Sequence, residues 1–279
     1  MIGLVDVGGT KLAAAIAGGD DIGRSARVPT PANHAVDALI DLLDTVRNGS
    51  VLDAIAAAVP GPFDRASGAL LNPPGMPPGW HGLDLRSALS GHYGCPVHIE
   101  NDANCAALAE ATFGAGRGAG TVVYFTVSTG IGTGVVRDGH LVLSRDDTEG
   151  GHQVLWPEWL GGPTCHCGGF GCLEALASGR AIERRFGVSG DELLDPAAWA
   201  DVGRWLGLGV VNATALLDPD VVIFGGGVCA SWDRFAPALH ATVESHLHLQ
   251  QLPRVARGEL DESRRNLIGA LWLITVGGQ

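Results

Sequence analysis

The sequence predicts an α/β fold made of two related halves, and three observations carry that prediction. Runs with strand character alternate with stretches of helical periodicity, the pattern of sheets flanked by helices. Two β-turn-β openings, each with a glycine-rich turn, occur near residue 1 and again after residue 120. Between them, Gly114-Ala-Gly-Arg-Gly-Ala-Gly120 reads as a linker or hinge. The repeat is one of architecture, not of sequence. A length of 279 residues suits two ordinary domains better than one.

Residues 2–28 read as a β-meander with strands over Ile2–Val7, Lys11–Ala17 and Ile22–Val28. A Gly8-Gly9 turn of the kind that needs positive φ and a turn at 18–21 join them. Val36, Leu39, Ile40, Leu43 and Val46 recur at helical spacing. Ile55–Val59 is a buried strand ended by Pro60-Gly61-Pro62, and a proline-rich loop runs from Asn72 to Trp80. A short helix over Leu85–Leu89 and a strand over Val97–Ile99 follow, then a helix capped by Asn101-Asp102 that reaches Phe113. After the hinge come a strand over Thr121–Val127, a glycine-rich turn over Thr129–Gly134, a strand from Val135 and a hairpin at Asp138-Gly139. Helices are expected over Ala175–Phe186, Ala197–Leu217, Ser231–Leu247 and Asp261–Thr275. A buried strand, Val221–Phe224, runs into Gly225-Gly226-Gly227. The expected domains are 1–115, completed by the C-terminal helix 261–279, and 116–260 with the cysteine-rich loop.

Composition narrows the function classes. Hydrophobic residues make up 46% and charged residues 17%, enough for a sizeable core and against disorder. A net charge of −12 argues against a nucleic-acid or anionic-membrane partner, but not against a nucleotide held by loops and helix ends. The N-terminus lacks the pattern of a signal peptide, and the apolar run Ile268–Val276 is too short to span a bilayer, so a cytoplasmic location is expected. In a reducing compartment clustered cysteines read as metal ligands rather than disulfides. The isolated Cys95, Cys105 and Cys229 read as small core residues.

Five motifs carry chemistry. Cys165, Cys167 and Cys172 lie within eight residues, with His152 a short loop upstream. Three thiolates and one imidazole complete a tetrahedral zinc set with no open position, so the site reads as structural. Free thiols or a redox pair are the alternatives. His166 competes with His152 as fourth ligand, but it sits between two ligating cysteines and should point away. Glu149 and Glu174 bracket the segment; a closed zinc site has no use for them, so they need a second role. In Asp6-Val-Gly8-Gly9-Thr10-Lys11, the glycines let backbone amides approach phosphate oxygens, and Asp6 can hold Mg²⁺ directly or through water. The same run also fits an ordinary hairpin turn. Ser128-Thr129-Gly130-Ile-Gly132-Thr133-Gly134 repeats that physics in the second half. Gly225-Gly226-Gly227 can let an adenosine lie against backbone, or is a tight strand-helix turn. In Glu100-Asn101-Asp102-Ala-Asn104, Asp102 is either a helix cap or a base poised against a hydroxyl.

Taken in order, the motifs resemble the ROK family of bacterial sugar kinases and repressors. The matching segments stand at 6–11, 100–104, 129–134, 149–152, 165–174 and 225–227. The resemblance implies a two-domain actin/hexokinase-like (ribonuclease H-like) fold with a cleft between domains. It implies ATP-dependent phosphorylation of a hexose, glucose first, with N-acetylmannosamine or another hexose as the alternative. A non-catalytic sugar-binding protein is the alternative of a different class. Repressors of the family carry a helix-turn-helix domain before the first strand; one residue precedes Ile2 here, which favours a kinase. Position by position, Asp102 matches the catalytic base. Asn101, Glu149, His152 and Glu174 match sugar-binding positions. His152, Cys165, Cys167 and Cys172 match the ligands of a structural Zn²⁺. Asp6, Gly8, Gly9, Thr10, Lys11, Thr129 and Gly130 match the Mg²⁺-ATP phosphate site, and Gly226 with Gly227 the adenosine site. A homodimer or homotetramer is implied. The loop departs from many family glucokinases, which have glycine at 128 and 133, and leans toward the N-acetylmannosamine kinases.

Overall fold

The structure, a computed structural model, describes residues 1–19, 21–143 and 147–276. In chain order its elements are β1 (Ile2–Val7), β2 (Lys11–Gly18), β3 (Asp21–Pro29), α1 (Ala35–Arg47), β4 (Ala54–Val59), α2 (Leu85–Tyr93), β5 (Val97–Asn101) and α3 (Asp102–Phe113). They continue with β6 (Thr121–Val127), β7 (Ile131–Arg137), β8 (His140–Leu141), α4 (Leu173–Ala177), α5 (Gly179–Phe186) and α6 (Pro196–Leu217). The last are β9 (Val221–Gly225), α7 (Trp232–His246), β10 (Arg254–Arg257) and α8 (Glu262–Val276). Part of the turn expected at 18–21 and the last three residues of the segment 261–279 lie outside the described residues.

The chain divides into two units, residues 1–109 with the segment from Ser263 onward, and residues 110–262. The sheet of the first has the order β3-β2-β1-β4-β5. Strands β1 to β3 pair antiparallel, while β1, β4 and β5 run parallel. Helix α1 buries Leu39, Leu42, Leu43 and Val46, spaced to share one helical face, in a cluster with Val5, Val7, Ile55 and Ala57. It ends at Asn48, whose left-handed φ of 47° turns its N–H back to the Asp44 carbonyl. The opposite face of the sheet is made of small residues, Ala13, Ala15, Ala56 and Ala58, clustered with Cys105 of α3 and Leu267, Ala270 and Leu271 of α8.

The second unit repeats this strand order as β10-β9-β6-β7-β8. Strands β6 to β8 pair antiparallel, and β6, β9 and β10 run parallel. Its core joins Val123, Phe125 and Phe224 to Leu173, Trp199, Leu206 and Leu239, with the Phe125 and Phe224 rings stacked at 5.4 Å.

Four local expectations change. Neither Gly8 nor Gly9 adopts positive φ, and their turn closes with the Gly8 N–H on the Lys11 carbonyl at 3.0 Å. The glycine-rich turn over Thr129–Gly134 is mostly strand: Ile131–Gly134 pair in register with Val127–Tyr124, leaving a turn at Ser128–Gly130 closed by a 2.9 Å hydrogen bond. The helix expected over Ala175–Phe186 breaks at Ser178, whose extended backbone ends α4 and whose hydroxyl caps α5 by accepting from the Ala181 N–H. Strand β10 has no sequence signal and is a short edge strand whose neighbour supplies the pairing, whereas β8 is the second arm of the hairpin expected at Asp138-Gly139. Within α3, the fully buried carboxylate of Glu110 accepts the backbone N–H of Ala115, in the glycine-rich segment that follows, and those of Glu259 and Leu260, at 3.0–3.1 Å. Among the described residues no helix is long and apolar enough to cross a membrane.

Candidate active site

In the first unit, parallel pairing brings the C-terminal ends of β1, β4 and β5 to one edge of the sheet. Asp6 lies in register with Ala58, and Ala58 with Glu100. The phosphate-loop candidates Gly8, Gly9, Thr10 and Lys11 turn over the same edge, with Gly9, Thr10 and Lys11 exposed. Thr30 secures the loop by donating its hydroxyl to the Gly8 carbonyl at 2.6 Å and its N–H to the Thr10 carbonyl at 3.0 Å. Asp6 Oδ1 accepts from Asn266 Nδ2 of α8 at 3.1 Å. Burial pushes the Asp6 carboxyl above its ordinary pKa, against the Asn266 hydrogen bond and the distant Arg27 charge.

The β5–α3 junction holds the base candidate. Asn101 is buried, and its Oδ1 caps α3 by accepting from the N–H groups of Ala103 (2.8 Å) and Asn104 (3.3 Å). Asp102 opens the helix, and its Oδ1 accepts from the Ala103 N–H at 2.8 Å. Cap and base candidate are therefore adjacent residues. Glu100 is buried and paired through both oxygens with Arg65, at 2.7 and 2.8 Å.

In the second unit the cysteine-rich segment has two short 3₁₀ turns, Gly150–His152 and Glu158–Leu160, and two isolated bridges, Val154 with Cys172 and Thr164 with Phe170. Four ligand atoms, one each from His152, Cys165, Cys167 and Cys172, lie within 4.8 Å of one another. Cys165 Sγ is 3.6 Å from His152 Nδ1, and Cys167 Sγ is 3.7 Å from Cys172 Sγ. Bond lengths of about 2.3 Å to sulfur and about 2.0 Å to nitrogen, set at tetrahedral angles, require separations of roughly 3.5 to 3.8 Å. The donor set and these two separations are therefore compatible with a tetrahedral zinc ion. His166 is exposed and outside the cluster. Burial raises the Cys165 thiol and pushes Cys172 up to about 12. At Cys167 burial acts upward too, but the Gly169 N–H and the neighbouring thiols outweigh it and hold it below the ordinary thiol value.

The flanking carboxylates are tied to this cluster. His152 Nε2 lies 3.9 Å from Glu149 Oε2. Burial raises the Glu149 pKa, His152 opposes that, and Asp147 and Glu174 add to it. Glu174, in the first turn of α4, accepts the Ile131 N–H at 3.0 Å through Oε2, while its Oε1 is 3.8 Å from Cys165 Sγ. A β-carbon at Gly130 would sit 2.5 Å from that Oε2, so Gly130 is what admits Glu174 to the loop. The turn Ser128–Gly130 is thus joined to the cluster, and Thr129 is exposed on it. Gly226 follows β9 with φ 91°, and a β-carbon there would strike Val127 at the end of β6. Gly227 is exposed, with nothing within 4 Å of the position a β-carbon would take.

Sequence reasoning missed Arg65, Asn266 and Glu110. A polar residue in the interior of α8, next to the buried Leu267, is the one local hint for Asn266. Arg65 has no such hint, since its partner lies 35 residues away.

The ROK family model matches residues 2–276. This chain belongs to the ROK family. It is 33% identical over 261 residues to a glucokinase of Thermotoga maritima, covering 80% of this chain and 81% of that protein. It is similar to the crystal structure of a ROK hexokinase from Thermus thermophilus, with 35% identity and a TM-score of 0.89 over 100% of this chain and 99% of that one. It is also similar to a ROK family glucokinase from Streptomyces griseus in complex with glucose and AMPPNP, with 28% identity and a TM-score of 0.81 over 96% and 97%. The α/β architecture of this ROK protein is the actin/hexokinase-like fold.

Proposed function

We propose that this ROK protein is an ATP-dependent hexose kinase that converts glucose to glucose 6-phosphate, with Asp102 as general base. The observation that carries the reading is the shared edge of the first sheet. It holds an exposed glycine turn, the carboxylate of the half-buried Asp6 and, at the head of α3, Asp102 beside its capping neighbour Asn101.

Phosphoryl transfer asks for a positioned hydroxyl, a group to accept its proton, and neutralisation of charge on the phosphates. On this reading Asp102 accepts the proton of the sugar hydroxyl as that oxygen bonds to the γ-phosphorus and the bond to the ADP oxygen breaks. Asn101 spends its carbonyl oxygen on the helix cap, which leaves its amide N–H groups to donate to the sugar. Asp6 would hold Mg²⁺, directly or through water: burial disfavours its ionised form, and a cation would supply a countercharge that favours it. Bound Mg²⁺ neutralises phosphate charge. The backbone of Gly8–Lys11 and of Thr129–Gly130 would hold the phosphates, and the open side of Gly227, with Gly226, would face the adenosine.

His152, Cys165, Cys167 and Cys172 would hold Zn²⁺, a structural ion whose contribution is to stiffen the segment. With Nδ1 turned to the cysteines, His152 keeps Nε2–H to donate to a sugar hydroxyl, beside the acceptors Glu149 and Glu174. The deciding experiment is a turnover assay across glucose, mannose, fructose, N-acetylglucosamine and N-acetylmannosamine, run on the protein and on Asp102→Asn. Glucose should be turned over best and the variant should be inactive with fold and zinc retained; undiminished turnover by the variant refutes the base. Thr133 favours one second reading, phosphorylation of N-acetylmannosamine or another hexose. Its buried hydroxyl is packed against Gly150, two residues before His152, where a glycine would leave space.

A further inference from the structure

Asp102 heads a helix whose first turn depends on one buried carboxylate. Glu100 is 4% exposed, and its oxygens carry four hydrogen bonds. Oε2 accepts from Arg65 Nη1 at 2.7 Å. Oε1 accepts from Arg65 Nη2 at 2.8 Å, from the Asn101 backbone N–H at 2.8 Å and from Asn104 Nδ2 at 2.9 Å. The last strand residue and the first helical turn are therefore fastened to the same oxygen, on either side of Asp102.

Burying a carboxylate is costly unless a partner pairs and hydrogen-bonds it. Arg65 is that partner, and its geometry is the planar two-pronged match that guanidinium makes with carboxylate. Arg65 is itself held by its loop. Asp64 Oδ1 accepts the N–H groups of Ala66 (2.7 Å) and Ser67 (3.2 Å), and the Gly68 N–H closes the turn on the Asp64 carbonyl at 2.7 Å. Arg86 of α2 donates from both terminal nitrogens to the Arg65 carbonyl at 3.2 Å. A turn this constrained presents its side chain in one place at little entropic cost.

We propose that Arg65 is a positioning residue for catalysis: through Glu100 it sets the Asn101–Asn104 turn that aims Asp102. The inference rests on the reading of Asp102 as base.

The test is a double-mutant cycle on kcat with Arg65→Met, Glu100→Gln and the pair together. Arg65→Met leaves Glu100 buried without its counter-charge and should lower kcat by about a hundredfold, the scale of a misaimed catalytic group. Glu100→Gln keeps an acceptor for the Asn101 N–H and Asn104 but sets its amide N–H₂ against Arg65, so it should lower kcat by about tenfold, less than Arg65→Met. The pair should match Glu100→Gln, a recovery that a direct or merely structural role of Arg65 would not produce. Normal turnover by Arg65→Met overturns the proposal. So does a pair that folds and turns over as poorly as Arg65→Met, since Arg65 would then act on something other than Glu100. If Arg65→Met alone does not fold, the pair against Glu100→Gln decides the question by itself: equal kcat supports the proposal and a deficit of about tenfold overturns it. Asp102→Asn run alongside separates the two readings, because turnover in that variant removes the base assignment whatever the cycle shows.

Discussion

The two units share a strand order but hold their candidate site groups in different ways. In the first, Asp6 and Asp102 sit at the ends of regular elements, and the parallel ladder of β1, β4 and β5 fixes their spacing. In the second, Glu149 and His152 lie on an irregular segment, and Glu174 on a five-residue helix after it. The local core there is Cys165, Cys172 and Ala175. On the proposed reading, Zn²⁺ held by the four ligands would add order that this small local core does not supply. Regular structure aims a side chain through its ladder, whereas on the proposed reading the irregular segment would rely on its metal as a staple.

That contrast can be broken in both directions. The largest effect is expected at Asp102: Asp102→Asn should lower kcat by about 10² to 10⁴, with thermal stability and zinc content unchanged. A matching loss of stability would make it a structural cap instead. Metal removal should affect stability as well as turnover. The protein should contain about one zinc per chain, and chelation should lower Tm by about 5 °C or more and abolish turnover; zinc-free protein of normal stability and activity would remove the staple from the argument. Gly130→Ala drives a β-carbon toward Glu174 Oε2, so hexose KM should rise about tenfold while kcat changes less. The smallest effect belongs to ordinary capping in the first unit. Asp84 caps α2 by accepting the Ser87 N–H at 2.9 Å, which lowers its pKa. Asp84→Ala should cost about 1 kcal/mol in denaturant unfolding. Because the folded-state pKa is depressed, the stability Asp84 contributes is present at neutral pH and lost as pH falls through that pKa, and the variant should lack this acid-side loss.

Much of the site was legible because its signals are local. Cys165, Cys167 and Cys172 carry a ligand spacing within one loop, and Asn101-Asp102 before a helix is a cap wherever it occurs. The errors were local as well. Glycine content made Thr129–Gly134 read as a turn, yet pairing with β6 draws Ile131–Gly134 into a strand, because glycine permits extended backbone as readily as a bend. Continuous periodicity through Ser178 hid a helix break that the Ser178 hydroxyl stabilises from the other side.

By itself the sequence determined the order of alternating elements, the thiolate and imidazole set, and the carboxylate at the head of α3, since each depends on residues a few positions apart. The tertiary structure alone decided which groups stand beside them. Asn266 reaches Asp6 across 260 residues of chain, Arg65 reaches Glu100 across 35, and Glu174 reaches the Ile131 N–H across 43. A counter-charge or hydrogen-bond donor has no required spacing in sequence; only the folded sheet and its packed helices bring it within about 3 Å.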